Sequence, residues 1–212
     1  TPPGAVPAQA AVLDGYVQHI VSLGRSLAGL RVVLDCANGA MSVAAPAVFR
    51  ALGAAVEVIH DTPDGRNIND HCGATHTASL AAAVVAQGAQ LGLAFDGDGD
   101  RVIAVDHLGN AVDGDRLIAL AALQLRDEGE LHHDTVVVTV MSNLGFHKAM
   151  ADAGIQVLTT AVGDRYVLEA LDAHGHSVGG EQSGHIIYRD VATTGDGLLA
   201  GMRLAEFVHE SG

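Results

Sequence analysis

"RVVLDCANGAMSVAAPAVFRALGAAVEVI", Arg31 to Ile59, decides the fold. Arg31–Asp35 reads as a buried strand, because an apolar run ends in an Asn-Gly turn. Apolar positions at helical spacing follow over Val43–Leu52, and Gly53 breaks them. "AAVEVIH", Ala54–His60, is then a second strand. Strand, helix and strand in this order make the unit of a parallel sheet, since the crossover helix returns the chain to the same end.

The pattern comes round again downstream. "VVVTVMSNLG", Val136–Gly145, repeats "VVLDCANGA", and "MADAGIQVLTT", Met150–Thr160, repeats "FRALGAAVEVI". Around the first copy lie a helix over Ala11–Leu27, a polar loop over Asp61–His76, a helix over Ala78–Gln87 and strands over Leu91–Phe95 and Val102–Asp106. Around the second lie helices over Arg116–Arg126, Phe146–Ala153, Tyr166–His174 and Asp196–Val208, with strands over Thr135–Val140 and Ile155–Thr160. "HLGNAVDGDR", His107–Arg116, reads as the junction. The expected fold class is α/β: two tandem similar domains, 1–108 and 109–212, each a mixed, mostly parallel sheet flanked by helices.

Composition narrows the partners. With 25 acidic and 11 basic residues, the net charge of −14 excludes a nucleic-acid binder, which needs a basic face. It suits a protein that holds a cation or a small ligand. Cys36 and Cys72 stand outside any C-x-x-C pair, so neither a disulfide framework nor a zinc site is expected, and reduced thiols in a cytoplasmic protein are. Thr77–Phe95 has no charged residue, but Gln87, Gly88, Gln90 and Gly92 break it into helix, turn and strand, so no membrane span is expected. The opening "TPPGAVPAQA" lacks a basic region and a long apolar run, as a secretion signal would not. With no initiator Met, the chain is expected to be part of a longer protein.

"LAFDGDGDRV", Leu93–Val102, carries the chemistry. Asp96, Asp98 and Asp100 alternate with glycines, so the backbone can turn tightly and bring three carboxylates together. Converging carboxylates repel unless a cation sits between them, and hard oxygen ligands suit Mg²⁺ or Ca²⁺. An EF-hand is excluded: its sixth position is Arg101 rather than Gly, and its twelfth is His107 rather than Glu. Arg101 adds a planar donor fork suited to phosphate, which together with Mg²⁺ points to phosphoryl transfer. A second stretch, "GGEQSGH" at Gly179–His185, places a carboxylate and a hydroxyl two residues apart in a Gly-flanked loop, able to grip vicinal hydroxyls. It is no nucleophile elbow, because Glu181 stands where Gly must precede Ser183.

D-G-D-G-D-R and G-E-Q-S-G-H together resemble the metal loop and the sugar loop of the α-D-phosphohexomutases. "DCANGA", "GRNINDHCGATH", "VMSNLG", "VGDRYV" and "TTGDGLLA" are similar to one branch of that family, the bacterial phosphoglucosamine mutases. The resemblance implies the second and third of four domains. It implies Mg²⁺ on Asp96, Asp98 and Asp100, with Arg101 beside the reacting phosphate. It places Glu181 and Ser183 on sugar hydroxyls, His185 closing their loop, and Gly163, Asp164 and Arg165 in a further active-site loop. The implied partners are a glucosamine phosphate substrate and a hexose bisphosphate activator. The family's phosphoserine loop, resembling T-A-S-H-N-P, is absent: Leu80 follows Thr77-Ala78-Ser79, and Ser79 is expected to cap a helix. The R-x-S-G-T-type phosphate loop is absent too. The chain alone is therefore expected to be inactive. A phosphomannomutase or phosphoglucomutase of the same family, and a non-catalytic Mg²⁺ or phosphosugar-binding module, are the alternatives.

Overall fold

The computed structural model describes residues 10–211, so the opening stretch through Gln9 lies outside the described residues. The chain runs α1 (Ala10–Leu23), β1 (Arg31–Asp35), α2 (Met41–Ala51), β2 (Ala55–Ile59), α3 (Ala78–Gln87), β3 (Leu91–Phe95), β4 (Val102–Asp106) and β5 (Ala111–Val112). It continues α4 (Gly114–Glu128), β6 (Thr135–Thr139), α5 (Leu144–Asp152), β7 (Gln156–Thr160), α6 (Asp164–His174), β8 (Val178–Gly180), β9 (Ile186–Tyr188) and α7 (Gly197–Ser211).

Two mixed sheets result, in the orders β2-β1-β3-β4-β5 and β7-β6-β8-β9. In the first, β1 pairs in parallel with β2 and β3, while β4 runs antiparallel to β3. In the second, β6 pairs in parallel with β7 and β8, while β9 runs antiparallel to β8. The α/β reading therefore holds, and the repeat has a topological form. Each half is strand, helix, strand, helix and an antiparallel pair, in the same spatial order. The β3–β4 connection, which carries the aspartates, is thus the counterpart of the β8–β9 connection, which carries Glu181 to His185.

Alternating side chains serve the two faces of each sheet. Val33, Ala94 and Val105 pack with Leu80 and Val84 of α3. Val137 and Ile187 pack with Val167 and Leu171 of α6. The opposite faces share one continuous core, in which Val32, Leu34 and Leu93 of the first sheet join Val136 and Val138 of the second. Leu198, Met202 and Ala205 of α7 belong to that core as well.

Helix ends follow local chemistry. Asp113 caps α4 by accepting the Arg116 N–H, and Asn143 caps α5 by accepting the Phe146 N–H. Helices α3, α4 and α6 end on glycines in the left-handed conformation. Three differences from the sequence expectation stand out. The stretch His107–Arg116 contains a strand, β5, paired with β4. The Gly-rich "GGEQSGH" begins inside β8. Finally, Thr77 occupies the cap position of α3, so Ser79 lies in the first turn, and its buried hydroxyl makes no hydrogen bond.

Candidate functional site

The aspartate loop is held by its own backbone. Asp96 is buried and follows β3 directly; its Oδ1 accepts the N–H groups of Gly99 and Arg101 at 3.1 and 3.2 Å. Gly99 sits at φ +80°, where an L side chain is strained, so the turn depends on glycine there. The turn brings carboxylate oxygens of Asp96, Asp98 and Asp100 to within 4.8 Å of one another. Asp98 is exposed, and Asp100 is partly buried with its Oδ1 shielded and unbonded. Burial, and after it the charge of Asp96, hold the Asp100 carboxyl above the usual carboxylate range. Three converging carboxylates, with Arg101 Nε 3.5 Å from Asp100 Oδ1, fit a hard cation with open coordination positions.

Arg101 donates from Nε to Asp96 Oδ2 at 2.7 Å. That bond aims the guanidinium, and among the described residues neither Nη atom is hydrogen-bonded. The cationic fork is thus free for an anion beside the carboxylates.

The two homologous loops meet at this point. Arg101 forms a β-bridge with His185, and the Val102 N–H donates to Gly184 O at 3.1 Å. His185 is buried, with Nδ1 3.0 Å from Asp100 Oδ2 and Nε2 accepting the Gly195 N–H at 3.1 Å. The Gly195 contact leaves the proton on Nδ1, where it is donated to Asp100. His185 therefore orients a carboxylate of the other loop.

Arg101, Glu181 and Ser183 line one cavity of about 610 Å³, together with Asp113, Thr139, Met141, Val162 and Gln182. Glu181 is held by the Gly163 N–H, which donates to its Oε1 at 3.0 Å. Gly163 thus supports the carboxylate from the α6 side. Asp164 and Arg165 open α6 outside this lining. Asp164 accepts the Arg165 N–H at 2.7 Å, while Arg165, its side chain 80% exposed, pairs with Glu169.

Sequence reading passed over Asp115. This buried carboxylate on α4 accepts both the backbone and the side-chain N–H of Asn143, at 2.8 and 2.7 Å. It ties "VDGDR" to "MSNLG" and so shapes the cavity wall at Thr139 and Met141. The only cue was an aspartate in the first turn of a helix, which usually means nothing more than a favourable dipole contact.

A family model described as phosphoglucomutase/phosphomannomutase α/β/α domain II matches residues 14–109, and the domain III model of the same family matches residues 113–212. The chain belongs to this family of phosphohexomutases. Phosphoglucosamine mutase of Frankia casuarinae is 57% identical over 99% of this chain and 46% of its own length. That of Rhodococcus jostii is 56% identical over 94% and 45%. The chain spans about half the length of the curated relatives it matches. Among solved structures, a phosphoglucomutase/phosphomannomutase family protein from Burkholderia thailandensis superposes with TM-score 0.86 at 29% identity, over 94% of this chain and 44% of its own. The N-acetylphosphoglucosamine mutase of Aspergillus fumigatus, solved with GlcNAc-6P and magnesium, has the same fold at TM-score 0.68 and 18% identity, over 94% of this chain and 47% of its own.

Proposed function

We propose that this chain carries the metal loop and the sugar loop of a cytoplasmic phosphoglucosamine mutase, which interconverts glucosamine 6-phosphate and glucosamine 1-phosphate. One observation carries the reading: the aspartate loop and the "GEQSGH" loop are locked together by the Asp100–His185 contact, with Arg101 and Glu181 on one cavity. In this reading Asp96, Asp98 and Asp100 hold Mg²⁺, which would offset the charge that builds on a transferring phosphoryl group. Arg101 directs its free Nη atoms at a phosphate oxygen. Glu181 and Ser183 accept and donate hydrogen bonds to sugar hydroxyls. Gly163 fixes Glu181, and Asp164 and Arg165 follow it as the candidate residues of a further active-site loop. Residues 1–108 and 109–212 would be two successive domains of the longer enzyme.

The transferable phosphate would sit on a serine elsewhere in that enzyme. Its P–O bond to serine breaks as a new P–O bond forms to the free sugar oxygen, giving a sugar bisphosphate. The reversed bisphosphate then returns its other phosphate to the serine. A hexose bisphosphate would prime the serine. The 212-residue chain would bind substrate without turning it over.

The test is titration of the purified chain with glucosamine 6-phosphate in the presence of Mg²⁺, alongside a mutase assay. Saturable binding that Glu181→Gln weakens about tenfold or more, with no turnover, is expected. Equal affinity for glucose and mannose phosphates would shift the assignment to another member of the family. Turnover by this chain would place the phosphorylated serine within it, and Ser79 would be the first to replace.

A further inference from the structure

Each repeat presents the carboxyl ends of its parallel strands to the same side, where open α/β sheets bind their ligands. In the second repeat that place, at Thr139 and Val162, is the cavity described above. In the first repeat the corresponding place, at the ends of β1 and β2, is filled by Asp35, His60 and Cys72. One oxygen of Asp35, one ring nitrogen of His60 and Sγ of Cys72 all lie within 4.8 Å of one another.

We propose that Asp35, His60 and Cys72 form a second metal site, which takes a thiophilic divalent transition ion of the Zn²⁺ class. The site is separate from the aspartate loop and independent of the sugar-phosphate reading.

The donor set makes the choice of ion. A thiolate, an imidazole and one carboxylate select Zn²⁺ over Mg²⁺, whereas the three carboxylates of the aspartate loop do the reverse. Three protein ligands leave a fourth tetrahedral position for water. Zinc bonds of about 2.0–2.3 Å set ligand atoms about 3.5 Å apart, and His60 Nδ1 already stands 3.1 Å from Asp35 Oδ1. His60 can adjust to the ion, since its side chain is 31% exposed while Asp35 is fully buried. The same exposure is the path of entry.

Electrostatics call for a cation here. Among the described residues Asp35 has no Lys or Arg partner; its one basic neighbour is the His60 imidazole, with Nδ1 3.1 Å from Oδ1. Even so, that nitrogen is shielded from solvent and makes no hydrogen bond. A buried carboxylate without a Lys or Arg partner is costly, and a metal ion would both neutralise it and satisfy the His60 nitrogen.

The supporting shell is already built. Ala37 and Gly73 N–H groups each donate to Asp35 at 3.0 Å, to Oδ1 and Oδ2 respectively. Asn38 Nδ2 donates to Cys72 Sγ at 3.8 Å. Such contacts orient metal ligands and raise their affinity. When the ion binds, the Cys72 thiol releases its proton to solvent and a metal–sulfur bond forms. The ion would then tie the β1 turn and the loop 60–73 together, directly beneath the aspartate loop, because the Ala40 N–H of that turn donates to Gly97 O at 2.9 Å.

Cobalt(II) tests this without relying on activity, since a thiolate ligand produces a charge-transfer band that histidine-only surface sites lack. The chelator-stripped chain is titrated with Co²⁺, then back-titrated with Zn²⁺ and, separately, Mg²⁺. One Co²⁺ per chain should bind with the thiolate band, and Zn²⁺ but not Mg²⁺ should displace it. Cys36→Ser should keep the band and Cys72→Ser should lose it. His60→Ala, at a partly exposed position, should weaken Co²⁺ binding about tenfold or more. No thiolate band in the wild-type chain, a band that survives Cys72→Ser, a band that needs Cys36, or unchanged affinity in His60→Ala would each overturn the site.

Discussion

At the scale of single residues, the aspartate loop gathers carboxylates whose charges oppose one another, a repulsion that a bound cation would relieve. Asp100 has its carboxyl raised, chiefly by burial and then by Asp96. A folded-state value above the unfolded one means that the stabilisation from a protonated Asp100 is present at low pH. It is lost as pH rises through that raised value. Bound Mg²⁺ removes the penalty, so its stabilisation should grow over the same interval. Thermal melts with and without Mg²⁺ should show a larger rise in Tm at pH about 7 than at pH about 4. An equal rise at both would mean that Asp100 is not a ligand. Asp98 is exposed and makes no structural hydrogen bond of its own among the described residues. Asp98→Asn should therefore leave the Mg²⁺-free Tm within error while weakening Mg²⁺ binding about tenfold or more, read from the Mg²⁺ dependence of Tm.

Turns and helix starts set the site's shape at the scale of elements. The β1–α2 turn touches the aspartate loop through Gly39, where a Cβ would lie 2.3 Å from Gly97 O. Backbone cannot yield as a flexible side chain does. Gly39→Ala should cost about 1–3 kcal/mol by urea unfolding and reduce the Mg²⁺-dependent rise in Tm, although Gly39 supplies no ligand. The α4 start is tied to the α5 cap by Asp115, whose replacement leaves two donors of Asn143 unpaired. Asp115→Ala should cost about 2–3 kcal/mol in the same measurement. Its effect should extend to the binding site, as weaker binding of glucosamine 6-phosphate, because Thr139 and Met141 flank the turn that it holds.

For the whole molecule, the decisive element is α7. It belongs to the second half in sequence, yet Gly201 brings it close to Leu93 of β3, where an added Cβ would lie 3.1 Å from the leucine side chain. Glu206, buried, accepts the Arg25 N–H at 2.5 Å and Arg203 Nη1 at 3.1 Å. Tyr16 on α1 donates to Asp196, whose Oδ1 also accepts the Leu199 N–H in the first turn of α7. Removal of residues 197–212 would expose the shared core on both sheets. The truncated chain should lose its cooperative unfolding transition by circular dichroism. A sharp transition retained by that chain would mean that the halves are stable without α7.

Sequence alone determined the elements whose signal is local. β1, β3, β4 and α3 were read with the boundaries that the structure has, because apolar runs and glycine breaks lie within each segment. The aspartate loop was readable as a candidate cation site for the same reason: its three carboxylates are neighbours in the chain. β5 and β8, of two and three residues, gave no periodicity to read, and β8 ends in two glycines that need a partner strand to define them. Only tertiary structure decided that His185 serves Asp100 across 85 positions, that Asp115 holds Asn143, and that Asp35, His60 and Cys72 converge. Each of these contacts joins residues that lie far apart in the chain. They meet because strand ends and the loops that follow them converge in the fold, and no local pattern of residue types records that meeting.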